Sequence, residues 1–336
     1  MGLFKSRNHF PVNGRTVVIT GGSQGMGKGV AKQLAKKGAN VVIVARNVEK
    51  LKVALESIKN EAIHPETQRF TYISADLINP EDSVRVMREV KAWNSNTAPD
   101  IVWCVAGGTH PDFFINMDTH QLREDMDQNY YSASFMAHAT LREWLQPSKN
   151  SEAKLPSSSE KPRHLIFTSS IVAFYSMVGY SQYAPAKTAL RALSDALSQE
   201  LQVYNGARRR KGSPSPEADV KVHTVFPATI FTPGYEEENL TKPAILKKLE
   251  ESDGGQTEDE VATASIRGLE RGDYLVTTTW LGSLMRSSAW GGSPRNSWIV
   301  DPVFSWLSSI VWPFAQSDMD RTVFKWGKEN GLPPKA

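Results

Sequence analysis

Short apolar runs alternate with amphipathic segments along most of this chain. The runs lie near residues 16–20, 40–45, 69–74, 100–105, 163–169, 220–226 and 273–278. Runs of this length that are rich in β-branched residues are typical of strands buried on both faces of a parallel sheet. The segments between them carry apolar residues at helical spacing. The pattern predicts an α/β fold built on one doubly wound, seven-stranded parallel sheet, with ligands bound at the carboxyl ends of its strands.

The last part of the chain has a pattern of its own. After Asp301 as N-cap and Pro302 at the first helical position, apolar residues recur at i, i+3, i+4, i+7 and i+8. They are Val303, Trp306, Leu307, Ile310 and Val311. The spacing predicts an apolar helical appendage over 302–312. Its eleven residues would extend about 16 Å, short of the roughly 30 Å hydrocarbon core of a bilayer, so we do not expect it to cross one.

Two interpretations of this helix stay open. The tryptophans Trp290, Trp298, Trp306 and Trp312 favour a membrane interface, where indole rings are enriched. Packing of the apolar stripe on the rest of the chain, or on a second subunit of a homo-oligomer, fits the pattern equally well. We therefore divide the chain into a sheet domain of residues 1–280 and a tail of residues 281–336.

Two polar segments interrupt the alternation. Residues 146–162 are rich in Ser, Pro, Lys and Glu, which predicts a disordered surface insertion. Residues 205–219 contain the run Arg208-Arg209-Arg210-Lys211. Such a run either attracts anionic lipid headgroups or belongs to a solvated loop, and the sequence leaves both open.

Composition excludes several functional classes. The 336 residues suffice for one large α/β domain, and a net charge of +3 without zinc-finger or RNA-binding signatures indicates no nucleic-acid partner. The seven histidines lack metal-ligand spacing, so no metal is expected. The one cysteine, Cys104, lies in a predicted strand and is expected to be a core thiol. No signal sequence or spanning segment is evident, as expected of a protein that faces the cytosol.

A glycine-rich turn follows the first predicted strand. The segment Thr20-Gly21-Gly22-Ser23-Gln24-Gly25-Met26-Gly27 lies between that strand and a helical pattern that ends at Gly38. Glycines at a strand-to-helix turn let backbone N–H groups and the helix N-terminus approach a pyrophosphate, so a dinucleotide is expected there.

The same residues also spell Gly21-x-Ser23-x-Gly25, the nucleophile elbow of serine hydrolases. We set the hydrolase aside for three reasons. This is the first strand, so no earlier strand supplies an oxyanion loop; Gly27 suits the approach of a phosphate; and no His/Asp pair stands out downstream.

The second predicted strand ends at a cation rather than at an acid. Arg46 follows it about 20 residues after the glycine turn, where NAD enzymes carry an Asp or Glu for the ribose hydroxyls. Arg46 and Lys50, one helical turn further on, are suited to clamp a 2′-phosphate. The reversed charge predicts NADPH as the cofactor.

The pair Tyr183 and Lys187 is the strongest indication of chemistry. Their i,i+4 spacing puts a phenol and an ammonium on one face of a helix that begins near Tyr183. A free tyrosine titrates at about pH 10, and a neighbouring cation is expected to lower that pKa and make the phenol a usable acid/base.

Taken in order, these motifs resemble those of the short-chain dehydrogenase/reductase family. Over roughly residues 12 to 280 the matches are Thr20-Gly-x-x-x-Gly-x-Gly27, Ala106-Gly107-Gly108 after a strand, Asn129, Ser170 and Tyr183-x-x-x-Lys187. Ser170 precedes Tyr183 by thirteen residues, the spacing usual in the family, and Ser169 is the alternative serine. The resemblance implies that residues 1–280 form a Rossmann-type, NADPH-binding catalytic domain. One departure is Pro227-Ala228, where many members have Pro-Gly.

The resemblance also implies a role for each matched residue. Tyr183 would donate a proton to a ketone oxygen that Ser170 hydrogen-bonds, Lys187 would lower the pKa of the phenol and hold the nicotinamide ribose, and Asn129 would position a proton-relay water. The residues implied to bind NADPH are Gly21, Ser23, Gln24, Gly25, Gly27, Arg46, Lys50, Asp76, Leu77, Ala106, Gly107, Tyr183, Lys187, Pro227, Ile230 and Thr232.

Within this family the chain resembles the 3-ketodihydrosphingosine reductases, particularly the fungal ones. The shared features are Gly21-Gly-Ser-x-Gly25, the Arg46/Lys50 pair, Ser74-Ala75-Asp76-Leu77, Thr232-Pro233-Gly234 and Gly291-Gly-Ser-Pro-Arg295. They imply NADPH-dependent reduction of a long-chain sphingoid ketone at the cytosolic face of the endoplasmic reticulum membrane. Two other hypotheses stay open: a reductase of another lipid-like ketone, such as a steroid or a 3-oxoacyl chain, and a nucleotide-binding scaffold without catalysis.

Overall fold

Seven parallel strands form one sheet in the computed structural model, which describes residues 7–146, 160–209, 215–251, 254–289, 291 and 294–330. The strand order is β3-β2-β1-β4-β5-β6-β7, which confirms the predicted doubly wound sheet. The strands are β1 (Thr16–Thr20), β2 (Asn40–Ala45), β3 (Phe70–Ser74), β4 (Ile101–Cys104), β5 (Arg163–Thr168), β6 (Val220–Phe226) and β7 (Leu275–Thr277).

Helices connect the strands and complete the described chain. The α-helices are α1 (Gly25–Ala35), α2 (Val48–Lys59), α3 (Pro80–Trp93), α4 (Thr119–Met126), α5 (Ser132–Trp144), α6 (Tyr183–Ala207), α7 (Pro233–Thr241), α8 (Ala244–Glu250), α9 (Glu258–Arg271), α10 (Trp280–Ser288) and α11 (Val300–Asn330). Two single 3₁₀ turns span Phe114–Asn116 and Ile171–Ala173, and a π-helical turn, Asp127–Tyr131, joins α4 to α5.

Helices bury both faces of the sheet. Helices α1, α2 and α9 pack on one face, and α3, α5 and α6 pack on the other. In β1, Val17 and Ile19 belong to the first core and Val18 belongs to the second, and all three are fully buried. This explains why the strands are continuous apolar runs in the sequence rather than alternating ones. Cys104 is a buried core thiol, as predicted, and burial raises its pKa to about 12.

The fourth strand is shorter than predicted because a side chain takes over its hydrogen bonds. The Thr20 hydroxyl accepts from the backbone N–H groups of Val105 and Ala106, at 3.0 and 3.1 Å, so β4 ends at Cys104 rather than at residue 105. The last strand is also shorter than the predicted 273–278, because it lies at the sheet edge and pairs only with Thr224–Phe226 of β6.

The tail helix differs from the predicted one in length and in capping. Helix α11 has 31 residues, includes Pro313, and begins at Val300, so the predicted bounds 302–312 were wrong. Asp301 is also not the N-cap. Its carboxylate is buried, forms an ion pair with Arg286 at 3.2 Å and accepts from the backbone N–H of Asn296 and Ser297. No described helix combines the length and the apolar character needed to span a bilayer.

The predicted apolar stripe of α11 points away from the protein. Trp306 is 64% exposed, and Val303, Leu307, Ile310 and Val311 are also exposed. The face that packs is more polar: Asp301 and Ser308 are buried, and Trp312 is half-buried. The stripe therefore does not pack on the described sheet domain, although the other side of α11 does, through Trp312 and Tyr175. That a membrane or a second subunit covers the stripe stays a prediction. Trp298 is exposed, and Trp290 lies outside the described residues.

The two polar segments are described only in part. Residues 147–159 of the predicted disordered insertion lie outside the described residues, as do residues 210–214. Arg208 is buried between Glu160 and Asp219, each at 2.6 Å, and Arg209 pairs with Asp219 at the same distance. These two charges are thus paired within the protein, while Arg210 and Lys211 lie outside the described residues, and the lipid-headgroup interpretation of the run stays a prediction.

A pair of buried histidines lies between β5 and β6. The Nδ1 of His164 is 3.0 Å from the Nε2 of His223, whose own Nδ1 is 2.9 Å from the carbonyl oxygen of Asp273. A carbonyl only accepts, so His223 donates to it and accepts a hydrogen bond from His164, which makes the His223 ring neutral. Burial lowers the pKa of His223 to about 4 and lowers the pKa of His164 well below its usual value.

This pair should make the fold sensitive to mild acid. Below pH about 6.5 the unfolded chain protonates both histidines while the folded protein does not, so stability is lost as the pH falls from about 6.5 toward 4, by up to about 1.4 kcal/mol per histidine and pH unit. Urea unfolding at pH 7, 6 and 5 measures this loss. His164→Asn should flatten the dependence, and His120→Gln, at an exposed site, should leave it unchanged. A pH-independent free energy of unfolding would contradict the prediction.

Candidate active site

A cavity of about 430 Å³ opens where the strands end at their carboxyl termini. Its wall includes the segments that follow β1 to β6, as expected for a parallel sheet. Ser170, Tyr183 and Lys187 line it, as do all the other residues predicted to bind a cofactor. Those residues are Gly21, Ser23, Gln24, Gly25, Gly27, Arg46, Lys50, Asp76, Leu77, Ala106, Gly107, Pro227, Ile230 and Thr232.

The glycine turn after β1 is shaped by close backbone packing. A Cβ on Gly21 would lie 2.9 Å from the backbone of Ala106, and a Cβ on Gly27 would lie 2.2 Å from the carbonyl oxygen of Gly21. Helix α1 starts at this turn, and its N-cap residue, Gln24, makes no side-chain capping bond. The first amides of α1 therefore stay available to an anion at the cavity wall, which fits the pyrophosphate of a dinucleotide.

Two cations stand at the edge of the same cavity. Arg46 and Lys50 are both exposed, and the Nζ of Lys50 donates to the Oε1 of Gln24 at 3.0 Å. The Ser74 hydroxyl donates to the Arg46 carbonyl at 2.9 Å and holds that turn in place. Asp76 follows the neighbouring strand and lines the same cavity. The residues present thus fit a nucleotide that carries extra negative charge near Arg46.

Tyr183 starts α6, as predicted, and Lys187 follows one turn later. The Nζ of Lys187 lies 5.4 Å from the centre of the Tyr183 ring and donates to the Thr168 carbonyl at 3.2 Å. Burial raises the pKa of Tyr183 above its usual value, which a hydrogen bond with Ser170 partly opposes. Burial also lowers the pKa of Lys187 to about 8.

The expected lowering of the Tyr183 pKa by Lys187 is therefore not observed in this structure. The Lys187 ammonium lies near the Tyr183 ring but donates its hydrogen bond to the Thr168 carbonyl. Removal of the phenol from water is therefore the largest effect on the pKa of Tyr183. Tyr183 is protonated at neutral pH, which is the state required of a proton donor.

The two candidate serines have different surroundings. The hydroxyl of Ser169 is buried and donates to the carbonyl of Lys187 at 2.8 Å, so its hydrogen is committed to the backbone. Ser170 hydrogen-bonds Tyr183, and its Oγ also accepts from the N–H of Val172 at 3.4 Å. The geometry thus places Ser170, rather than Ser169, beside the phenol.

Asn129 lies behind the cavity wall rather than on it. It is fully buried in the π-helical turn Asp127–Tyr131, and its Nδ2 donates to the carbonyls of Gly108 and Asp125 at 2.7 and 2.9 Å. A Cβ on Gly107 would lie 2.5 Å from the Oδ1 of Asn129 and 3.2 Å from the Nζ of Lys187. Asn129 and Lys187 therefore meet across Gly107. π-Helical turns of this kind are frequent at functional sites.

Several ionisable residues of the site were missed by sequence reasoning. Asp125 is buried beside Asn129, and burial raises its pKa to about 6. Tyr180, Glu238 and Glu250 line the cavity on the side of α7 and α8. A run of three glutamates on a short helix carries no sequence signal of burial, and the motif Thr232-Pro233-Gly234 pointed only to the start of α7, where Thr232 proves to be the N-cap.

Comparison with known proteins agrees with the fold and identifies the family. The profile described as short chain dehydrogenase matches residues 15–242. The chain is 53% identical to a 3-ketodihydrosphingosine reductase of Aspergillus fumigatus, over 97% of this chain and 88% of that protein. It is 44% identical to a 3-ketodihydrosphingosine reductase of Neurospora crassa, over 99% of this chain and 88% of the relative.

Solved structures with low sequence identity share the fold. A short-chain type dehydrogenase/reductase from Mycobacterium ulcerans superposes with a TM-score of 0.62 at 23% identity, over 80% of this chain and 89% of that one. A short-chain dehydrogenase from Sphingobium yanoikuyae in complex with NADPH gives 0.61 at 20% identity, over 79% and 88%. With the family match over most of the sheet domain, these findings show that the chain belongs to the short-chain dehydrogenase family of nicotinamide-dependent oxidoreductases.

Proposed function

We propose that this protein reduces the 3-keto group of 3-ketodihydrosphingosine to dihydrosphingosine with NADPH, a step of sphingolipid synthesis. The observation that carries the proposal is the meeting of Tyr183, Ser170 and Lys187 on one wall of a cavity whose other wall fits a dinucleotide. The relatives named 3-ketodihydrosphingosine reductase support the choice of ketone, since they match nearly the whole chain.

The residues of the site can divide the chemical step between them. When bound, the nicotinamide supplies a hydride to the carbonyl carbon. Tyr183 donates its proton to the carbonyl oxygen, and Ser170 holds that oxygen by a hydrogen bond. Lys187 lies close enough to stabilise the phenolate as it forms. Asn129 lies across Gly107 from Lys187, where it can hold a water that relays a solvent proton through Lys187 to the phenol. The negative charge of Asp125 favours the protonated form of Lys187.

Removal of the phenol hydroxyl should abolish most of the turnover. Tyr183→Phe is expected to lower kcat for 3-ketodihydrosphingosine by about 10²-fold or more, because the proton donor is lost. The glycine turn and the Arg46/Lys50 pair, which fit the dinucleotide, are unchanged. NADPH consumption and cofactor binding are measured together, and the affinity for NADPH should stay near that of the unchanged protein. Near-normal turnover would remove Tyr183 from the mechanism. A preference of the unchanged protein for a steroid or a 3-oxoacyl ketone would overturn the proposed substrate.

We further propose that Arg46 selects NADPH over NADH. Arg46 is exposed at the cavity edge, and among the described residues no ion pair neutralises its guanidinium. Arg46→Ala should weaken NADPH binding by about 1.5–3 kcal/mol, the range of a charged hydrogen bond, with little effect on NADH. Fluorescence titration with both cofactors measures this difference. Arg88→Ala, at an exposed position of α3, serves as the control. Equal losses for both cofactors would show that Arg46 acts structurally.

We also propose that the protein works at the cytosolic face of the endoplasmic reticulum membrane, with α11 in the interface. The apolar stripe of α11 is exposed, and interfacial helices present such a face to lipid. The opposite side of α11 lies against the segment before α6, where Trp312 packs edge-on against Tyr175 at 4.7 Å. Because Met177 and Tyr180 of that segment line the cavity, a membrane-bound α11 would bring the cavity close to a lipid substrate.

Loss of the stripe should separate membrane binding from chemistry. Changing Trp306 and Leu307 together to Ser should reduce liposome binding and raise the apparent KM for the long-chain ketone, while a short soluble ketone is reduced as before. The matched control changes Val53 and Val203, which are 74% and 72% exposed elsewhere, to Ser. A changed oligomeric state with unaltered liposome binding would instead assign the stripe to a subunit interface.

A further inference from the structure

A cluster of buried charges lies on the side of the cavity that α7 and α8 form. The side chain of Lys242, at the end of α7, is fully buried, and its Nζ lies 2.7 Å from Glu250 and 3.8 Å from Glu238. The hydroxyl of Tyr180 donates to the other oxygen of Glu250 at 2.8 Å. The Lys242 ammonium also lies 4.7 Å from the ring centre of Tyr235.

The charges in this cluster do not balance. Both oxygens of Glu250 are used, one by the Lys242 ammonium and one by the Tyr180 hydroxyl. Among the described residues, the one ionic contact of the Glu238 carboxylate is with the Lys242 ammonium, at 3.8 Å, which is too long for a hydrogen bond. Two carboxylates thus share one ammonium, and the carboxylate of Glu238 carries the excess negative charge.

Burial makes this excess charge unfavourable. The side chain of Glu238 is 23% exposed, against 7% for Glu250, so part of it still faces the cavity. Burial raises the pKa of Glu238 to about 7, although Lys242 opposes the rise. A buried carboxylate has lost the favourable interaction of its charge with water. A cation that binds beside it compensates for this loss, so such a carboxylate binds a cation strongly.

Glu238 lies within electrostatic range of the reacting group. It lines the same cavity as Tyr183, and its negative charge contributes to the raised pKa of that phenol. The ring of Tyr180, which is part of the cluster, is 5.6 Å from the ring of Tyr183. A cation at Glu238 would therefore sit close to a carbonyl held by Tyr183.

We propose that Glu238 determines substrate specificity by receiving an ammonium group on the carbon next to the reacting ketone. This inference rests on the proposed function, since a sphingoid 3-ketone carries an amino group at that position. The charges of Lys242 and Glu250 cancel, so an ionised Glu238 leaves the cluster with one negative unit, which one substrate ammonium neutralises. A steroid or a 3-oxoacyl ketone has no such cation and would leave the charge of Glu238 uncompensated.

The test compares two ketones that differ in one group. One is the sphingoid 3-ketone, and the other has the same chain and hydroxyl with hydrogen in place of the amino group. The full-length protein should prefer the amino ketone by about 10-fold or more in kcat/KM, the loss expected for one charged hydrogen bond. Glu238→Gln should lose that preference mainly through KM, with the deamino ketone and NADPH affected little. Glu237→Gln, at an exposed neighbour on α7, should keep it.

Each outcome decides between the inference and a structural role. Equal losses for both ketones in Glu238→Gln, or no loss for either, would overturn the inference. Should that variant unfold, the unchanged protein still decides, because equal kcat/KM for the amino and deamino ketones would also overturn it. A protein that reduces neither ketone would instead overturn the proposed function, whatever Glu238 does.

Discussion

The close approach of two backbones at the ends of β1 and β4 sets the geometry of the whole site. Gly21 lies against Ala106 with no room for a side chain, and the Thr20 hydroxyl takes the N–H groups that would have extended β4. The pairing of the two central strands therefore ends at this point, and the cavity opens beyond their carboxyl ends. The backbone after Ala106 then passes between Asn129 and Lys187, where only a glycine fits, at Gly107. The close approach of Gly21 and Ala106 thus positions both the glycine turn that fits a dinucleotide and the side chains of Asn129 and Lys187.

Burial rather than pairing dominates the electrostatics of this cavity. Removal from water lowers the pKa of Lys187 to about 8 and raises the pKa values of Asp125 and Glu238 to about 6 and about 7. Each of these groups therefore titrates close to neutral pH, where a nearby charge can change its protonation. The negative charge of Asp125 raises the pKa of Lys187, which favours its ammonium form, and raises the pKa of Tyr183, which disfavours its phenolate form. Such mutual dependence suits a site that has to move one proton with each hydride.

Sequence reasoning succeeded where local pattern and structure coincide. The central strands were found because they are buried on both faces, and the start of α6 at Tyr183 was found because Lys187 follows at helical spacing. It failed where tertiary contacts decide. The end of β4 depends on the Thr20 hydroxyl, and the cluster at Glu238 depends on the packing of α7 and α8 near Tyr180, which is distant in sequence. The effect of burial on Tyr183 could not be read from a neighbouring lysine either.

The tail helix shows why an amphipathic pattern alone does not identify the buried side. Its apolar stripe is regular in sequence, yet the packed side carries Asp301 and Ser308, because the buried ion pair between Asp301 and Arg286 fixes the start of the helix to α10. Once that end is fixed, the rotation of α11 is set and the stripe faces outward. An exposed stripe of this kind costs solubility unless lipid or another subunit covers it. Trp312 of α11 packs against Tyr175 in the segment that leads into α6, so whatever covers the stripe is connected through α11 to a segment of the cavity wall.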